Sequence, residues 1–176
     1  GVSMQPLFAN PSSAIRKYAF SEHNWHDYEA HGRGIRGNGF LFVKNSRPYL
    51  ALQGPADSVR SPSHVSLQAK RDAKQLTAAQ KDVFLAPRPL VEFYDLKSDP
   101  HQLNNLAGNA EFATQQKELA VTLGTWIDET HDSVPADISH DSFDRETGKA
   151  LKTKDYRQTT PGEDRNASKV NVPGPR

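Results

Sequence analysis

The run Val91-Glu-Phe-Tyr-Asp-Leu-Lys-Ser-Asp-Pro-His-Gln-Leu-Asn-Asn-Leu106 constrains the fold of this chain more than any other stretch. Leu90, Val91, Phe93, Tyr94 and Leu96 give the apolar and aromatic content of a strand with at least one buried face. Asp95 opens a polar corner, and Asp99-Pro100 stops the strand, because proline has no amide hydrogen for a ladder. Leu103 and Leu106 stand beyond the corner as apolar pegs, and Gly108-Asn109 leads into a helix. A strand, a turn and the start of the longest helix fall in one short run, so the core should be built from that strand and that helix.

The helix is predicted over 110–130, where Phe112, Leu119, Leu123, Trp126 and Ile127 recur at helical spacing and Lys117, Glu118 and Asp128 lie off the stripe. Upstream, strands are expected around Phe20, Ile35 and Phe42. Gly37-Asn38-Gly39 is a tight-turn signal that joins the last two as a hairpin. Asn10-Pro-Ser-Ser13 is read as the cap of a short helix over 14–18, and residues 45–63 as loop. Further helical stretches are expected over 64–71 and 78–85, with Thr77 as a cap. The fold class that follows is α+β: a small antiparallel sheet of about four strands, a long C-terminal helix packed on one face, and an irregular tail.

At 176 residues there is room for one domain and a tail. Only 35% of residues are hydrophobic, and they crowd between Ala14 and Ile127. Residues 1–130 are therefore read as the folded unit. Residues 131–176 carry four prolines and few large apolar side chains beyond Ile138, Phe143, Leu151 and Tyr156, so they are expected to be extended and poorly structured. Within them, the Phe143 to Gly148 stretch suits an anchored turn. Asn166-Ala-Ser168 fits a glycosylation acceptor, a tripeptide common by chance. The 22 basic and 21 acidic residues nearly cancel, which gives no basis for a nucleic-acid partner, and no apolar run is long enough for a membrane span. Zero cysteines exclude disulfides and thiolate chemistry.

The chemically loaded stretch is Ser21-Glu-His-Asn-Trp-His-Asp-Tyr-Glu-Ala-His-Gly-Arg33, with three histidines, two aromatics, three acids and an arginine. It is read as a loop displayed between strands, where binding groups usually sit. His23, His26 and His31, with Asp27 or Glu29, could converge on a metal, although the spacing matches no zinc signature. The favoured reading is carbohydrate recognition. Trp25 and Tyr28 offer ring faces to sugars, while His23, Asn24, His26 and Arg33 offer donors to hydroxyls or sulfate oxygens. The opposing reading is a satisfied polar loop that only packs.

The pattern E-[FL]-Y-D-L-x-x-D-P-x-x-x-x-N-L carried by residues 92–106 resembles the closing strand and turn of the type I, alkaline-phosphatase-like sulfatases. The His-Asp-Tyr-Glu stretch followed by Arg33 and Arg36 is similar to the heparan N-sulfatase-like and glucosamine-sulfatase-like branches. The chain departs from them at Gly37 and at Phe40-Leu-Phe-Val, so substrate preference does not carry over. The resemblance implies the C-terminal subdomain of an enzyme that hydrolyses sulfate esters or sulfamates of a glycan, in a periplasmic, secreted or lysosomal setting. It implies that His26 foremost, with His23, Asn24, Trp25, Tyr28, His31, Arg33 and Arg36, lines one wall of the substrate pocket.

The family uses a formylglycine nucleophile made in a [CS]-x-[PA]-x-R motif beside a calcium ion. Ser12-Ser-Ala-Ile-Arg16 fits that expression literally, but the Thr-Gly continuation and any acidic metal cradle are missing. No catalytic residue, metal ligand or cofactor is therefore assigned to this chain. The nucleophile and the calcium are expected on a preceding catalytic domain, its implied partner, and the isolated chain is expected to be inactive. The alternative is a free-standing carbohydrate-binding module that uses Trp25 and Tyr28 as a platform.

Overall fold

A computed structural model describes residues 2–52, 54–152 and 157–176. Gly1, Tyr156 and part of the charged run from Lys152 to Asp155 lie outside the described residues. Four strands form one antiparallel sheet in the order β1-β2-β3-β4: β1 (Ala19–Trp25), β2 (Glu29–Gly37), β3 (Phe40–Asn45) and β4 (Val91–Asp95). Helices α1 (Gln5–Ala9), α2 (Ala56–Val59), α3 (Pro62–Asp72) and α4 (Ala78–Lys81) precede or interrupt the strands, and α5 (Ala113–Glu129) follows them.

Period-2 alternation decides what each face carries. On one face, Ile35, Phe42 and Phe93 stack across β2, β3 and β4 in register and meet Leu119 and Leu123 of α5. Each of these five side chains is almost fully buried. Phe20 extends the layer and stacks on Trp126 at 5.3 Å between ring centroids. The expected stripe on the long helix is the stripe that packs, and Tyr18 closes its edge by donating from its hydroxyl to Glu118 at 2.7 Å.

The β2–β3 turn is the expected one. Asn38 and Gly39 both have positive φ, 52° and 81°, which a two-residue turn between right-twisted strands requires. Thr77 caps α4 in a capping box with Gln80, also as expected. Among the described residues, no helix is long and apolar enough to cross a membrane.

Residues 45–63, read as loop, hold the single turn of α2 and the start of α3. Two further expectations are corrected. The helix expected over 14–18 is absent, and a single turn of helix stands earlier, at α1. Pro6 suits the first turn of α1, and the Asn10 side chain takes the Ser12 amide into a turn at 3.0 Å instead of capping a helix. The second correction concerns residues 21–33, which are not a loop. They are most of β1 and the first half of β2, joined by a short turn over 26–28. The alternation was hidden because the inward positions Glu29, His31 and Arg33 are polar.

Those three residues stay buried because the chain after α5 runs back along them. Arg33 meets Asp132, His31 meets the Ser133 carbonyl, and the Glu29 carboxylate accepts from the Ser139 amide. Further along, the Ser142 amide donates to the Asp27 carbonyl at 2.8 Å, and the Phe143 to Gly148 turn closes with a bridge between Phe143 and Ala150. Tyr28, Ala56 and Val59 form a second small cluster under Phe143.

Candidate functional site

The sheet face away from α5 carries a cleft of about 340 Å³. The register brings Ser21 and His23 of β1, Gly32 and Gly34 of β2, Val43 and Asn45 of β3, and Glu92 and Tyr94 of β4 onto this face. The floor along β2 presents glycine at two successive outward positions, and at Gly34 the Ser21 side chain already fills the place of a Cβ, 2.6 Å from its Oγ. A methyl group at Gly32 would make only ordinary contacts, with Asn45 Oδ1 at 3.8 Å and His23 Cβ at 3.9 Å, so the backbone there can be approached without a clash. Glycine weakens a strand interior, and its use here lets another group approach the backbone. The walls come from Leu52 on one side, Asp82 and Arg88 on another, and the turn carrying His101 and Leu103.

One wall is fixed by a buried carboxylate. Glu92 is 5% exposed and accepts from Arg88 Nε at 3.1 Å and Nη2 at 2.9 Å, from Asn45 Nδ2 at 2.6 Å and from the Tyr94 hydroxyl. Burial alone pushes this carboxyl up, but the bonds from Arg88, Tyr94 and Asn45 outweigh it and hold it below the usual carboxylate range. Arg88 also grips Asp82, so its charge is already matched. The Tyr94 hydroxyl is pushed up, first by burial and then by its bond to Glu92, and it stays a neutral donor.

The expected site residues divide between two environments. Tyr28 is 4% exposed, its hydroxyl donates to the Asp144 carbonyl, and Arg145 covers its ring at 5.4 Å, so it offers no open face. Trp25 is half-buried, with its indole N–H on the His140 carbonyl. Arg33 is 1% exposed and fully engaged: Nε and Nη2 donate to Asp132 at 2.7 and 2.8 Å, and Nη1 donates to Asn24 at 2.7 Å. Asn24 follows Phe20 and Glu22 on the Arg33 face of the sheet, at the bulge between His23 and Trp25. His31 is buried beside it, and its imidazole is lowered to about 4, first by burial and then by the Arg33 cation.

Three of the expected residues face solvent. His23 stands at the cleft rim, above Gly32, and its imidazole is lowered by loss of water and by the nearby Arg145 and Arg33 cations. His26 sits at the β1–β2 turn with its side chain 70% exposed, and Asp27 lies 3.2 Å from its Nδ1. Asp27 is itself anchored, accepting from the Ala56 amide at the start of α2 at 2.7 Å. Arg36 is exposed further along β2, away from the His23–His26 end. His23 and His26 are thus displayed near one end of the sheet, while Asn24, His31 and Arg33 brace them from beneath.

Asn45, Arg88, Glu92 and His101 share this cleft although residue pattern gave no sign of it. The only local signal was the Gly-Arg-Gly alternation at 32–34, an unusual sequence for a central strand. Among the described residues, no group of three or more His, Asp or Glu is placed to hold a metal ion. Ser12 is exposed in a turn.

No protein-family model matches the chain. A curated protein described as an ulvan-active sulfatase, from Formosa agariphila, is 32% identical over 96 residues. Over that stretch the chain is related to a sulfatase. The match covers 54% of this chain and 16% of the relative's length. Two solved structures are more remotely alike. BT4656, in complex with its substrate D-glucosamine-2-N,6-O-disulfate, is 22% identical over 72% of this chain and 19% of its own, with a TM-score of 0.43. BT1596, a 2-O GAG sulfatase, is 18% identical over 73% and 20%, with a TM-score of 0.43.

Proposed function

We propose that this chain is the C-terminal part of a sulfatase that hydrolyses sulfate esters or sulfamates of a glycan, and that its β1–β2 end and adjoining cleft form one wall of the substrate pocket. The match to the ulvan-active sulfatase carries this reading, and it belongs to an extracellular or periplasmic setting. The formylglycine nucleophile and the calcium are assigned to a catalytic domain that packs against this chain. Here the residues bind and orient. His26 and His23 donate to sugar hydroxyls or sulfate oxygens, the bare Gly32 backbone admits a ring close to the sheet, and Asn45 and Tyr94 are held by Glu92 as fixed polar groups. Arg33 acts as a positioning residue: it holds Asn24 at the bulge and is itself held by Asp132, so the hairpin end that displays the histidines is rigid.

Burial of Tyr28 removes half of the sugar platform on which a free-standing carbohydrate-binding module would depend. A titration tests the proposal. Backbone amide spectra of this chain with a sulfated ulvan disaccharide should move at His23, Asn24, His26 and Gly32. Silence at all four, with ligand bound elsewhere or not at all, overturns the reading.

A further inference from the structure

A second concave site lies beyond α4. A groove of about 570 Å³ runs between the C-terminal end of α3 and the 81–86 segment, lined by Arg71, Lys74 and Lys81 around Leu76, Phe84 and Leu85. Its lining holds three cations and no carboxylate. Arg71 covers the Phe84 ring at 4.9 Å, and its charge is shared with Asp72 and Glu146. Lys74 and Lys81 are exposed and form no ion pair among the described residues. Lys74 also holds a left-handed backbone, φ 58°, where α3 ends through the Gln75 amide on the Lys70 carbonyl. Glycine is the residue that fits such a helix terminus without strain, yet the chain places a cation there.

The groove is not isolated from the cleft. A smaller depression of about 250 Å³ shares Ala79, Asp82 and Leu103 with the cleft and shares Lys81 and Leu85 with the groove. A ligand leaving the cleft would cross the Lys81–Leu85 ridge and arrive among the cations. We infer that this groove is a distal subsite for a further anionic sugar of the same sulfated oligosaccharide, seated with Lys74 and Lys81 on its sulfate or carboxylate groups and its ring on Leu76 and Leu85, beside the Arg71-covered Phe84. The inference rests on the sulfatase reading for the identity of the ligand. The charge and shape of the groove stand on their own, because flexible lysines suit anions of varied placement and an apolar floor suits the C–H face of a sugar. The chain would then select polymeric or oligomeric substrates over single sulfated sugars.

Calorimetry with a sulfated ulvan disaccharide and a sulfated ulvan hexasaccharide tests it, alongside amide spectra that follow Lys74, Lys81 and Phe84. The hexasaccharide should bind about tenfold more tightly, as two exposed charge contacts allow, and only it should move the three groove signals. Lys74→Glu/Lys81→Glu should abolish that gain, leave the disaccharide affinity and the thermal midpoint unchanged, and flatten the salt dependence. Lys74→Gln/Lys81→Gln should give an intermediate loss. Groove signals that respond to the hexasaccharide while the cleft stays silent to both ligands would keep the groove and overturn the pocket-wall reading. Equal affinities for the two ligands, unmoved groove signals, or a hexasaccharide gain that survives charge reversal would overturn the inference.

Discussion

Arg33 and Asp132 form a two-pronged ion pair that ties the middle of β2 to the chain just beyond α5, with Nε and Nη2 at 2.7 and 2.8 Å from the two carboxylate oxygens. Both side chains are almost wholly out of water. Forming such a pair gains little over an apolar contact, but removing one partner leaves the other charge buried and unmatched. Asp132→Leu or Arg33→Met should therefore cost roughly 3–5 kcal/mol. The double variant Arg33→Met/Asp132→Leu should cost much less than the sum of the single changes. Urea unfolding of the three proteins checks this, and additive losses would mean that the two residues act separately.

His31 should make stability depend on pH. The ring lies between Arg33 and Arg47, with Asp132 and Glu29 on adjoining positions, and it donates from Nε2 to the Ser133 carbonyl. Its pKa falls from 6.5 to about 4 on folding. Between those values the unfolded chain binds a proton that the folded chain refuses, so stability is full above about 6.5 and is lost as pH falls toward 4. A shift of this size corresponds to something on the order of 3 kcal/mol. His31→Asn should flatten the stability curve over that window, and imidazole shifts from NMR should report the low pKa directly. A His31 that titrates above 6 would remove the argument.

The core makes a graded prediction. Leu123 is 1% exposed between α5 and the sheet, and Leu123→Ala should cost about 2–5 kcal/mol. Trp126 keeps one side partly open, stacked on Phe20 and touched by the C-terminal segment at Gly174, so Trp126→Ala should cost less than the 3–5 kcal/mol typical of a buried aromatic, roughly 2. Thermal or urea denaturation decides the order, and a Trp126 variant less stable than the Leu123 variant would reverse it.

Sequence pattern was enough wherever burial and chemistry agree. Phe42, Phe93, Leu119 and Leu123 are apolar at the right period, and Asn38-Gly39 and Thr77 carry local turn and cap chemistry, so the sheet, the β2–β3 hairpin and the long helix were legible. It failed where a buried position is polar. Glu29, His31 and Arg33 sit at inward positions of a strand, but their partners Asp132, Ser133 and Ser139 lie about a hundred residues away, and nothing local says that they will be covered. Exposure of His23 and His26 was readable as display of polar groups. Grouping of Asn45, Arg88, Glu92 and His101 around one cleft depends on strand pairing, which no short window contains.

The glycine floor separates folding from binding. Gly32 has room above it, and a β-branched residue in a strand is at least as stable as glycine, by up to about 1 kcal/mol. Gly32→Val should leave the thermal midpoint unchanged or raised while filling the space where a ring would approach. Affinity for a sulfated ulvan disaccharide should drop by at least about tenfold, the equivalent of one lost close contact. Unchanged affinity in a well-folded variant would move the ligand off the sheet face.

His26 gives the sharpest test of the pocket-wall reading, because the fold barely uses it. Its side chain is 70% exposed, and its one polar neighbour, Asp27, is already anchored to the start of α2 through the Ala56 amide. Removing the imidazole leaves no buried group unpaired and no cavity, so His26→Ala should change stability by less than about 0.5 kcal/mol, as ordinary surface substitutions do. Tyr28, two residues on, gives the contrast: its hydroxyl is tied to the Asp144 carbonyl under Arg145, and Tyr28→Phe should cost about 1 kcal/mol while leaving substrate handling alone. In the complete enzyme, His26→Ala should lower kcat/KM on a sulfated oligosaccharide by about tenfold or more, the loss of one hydrogen bond to a charged group. Kinetics that match the parent, together with a lowered thermal midpoint, would make His26 a residue of the fold and leave the hairpin end without a role in binding.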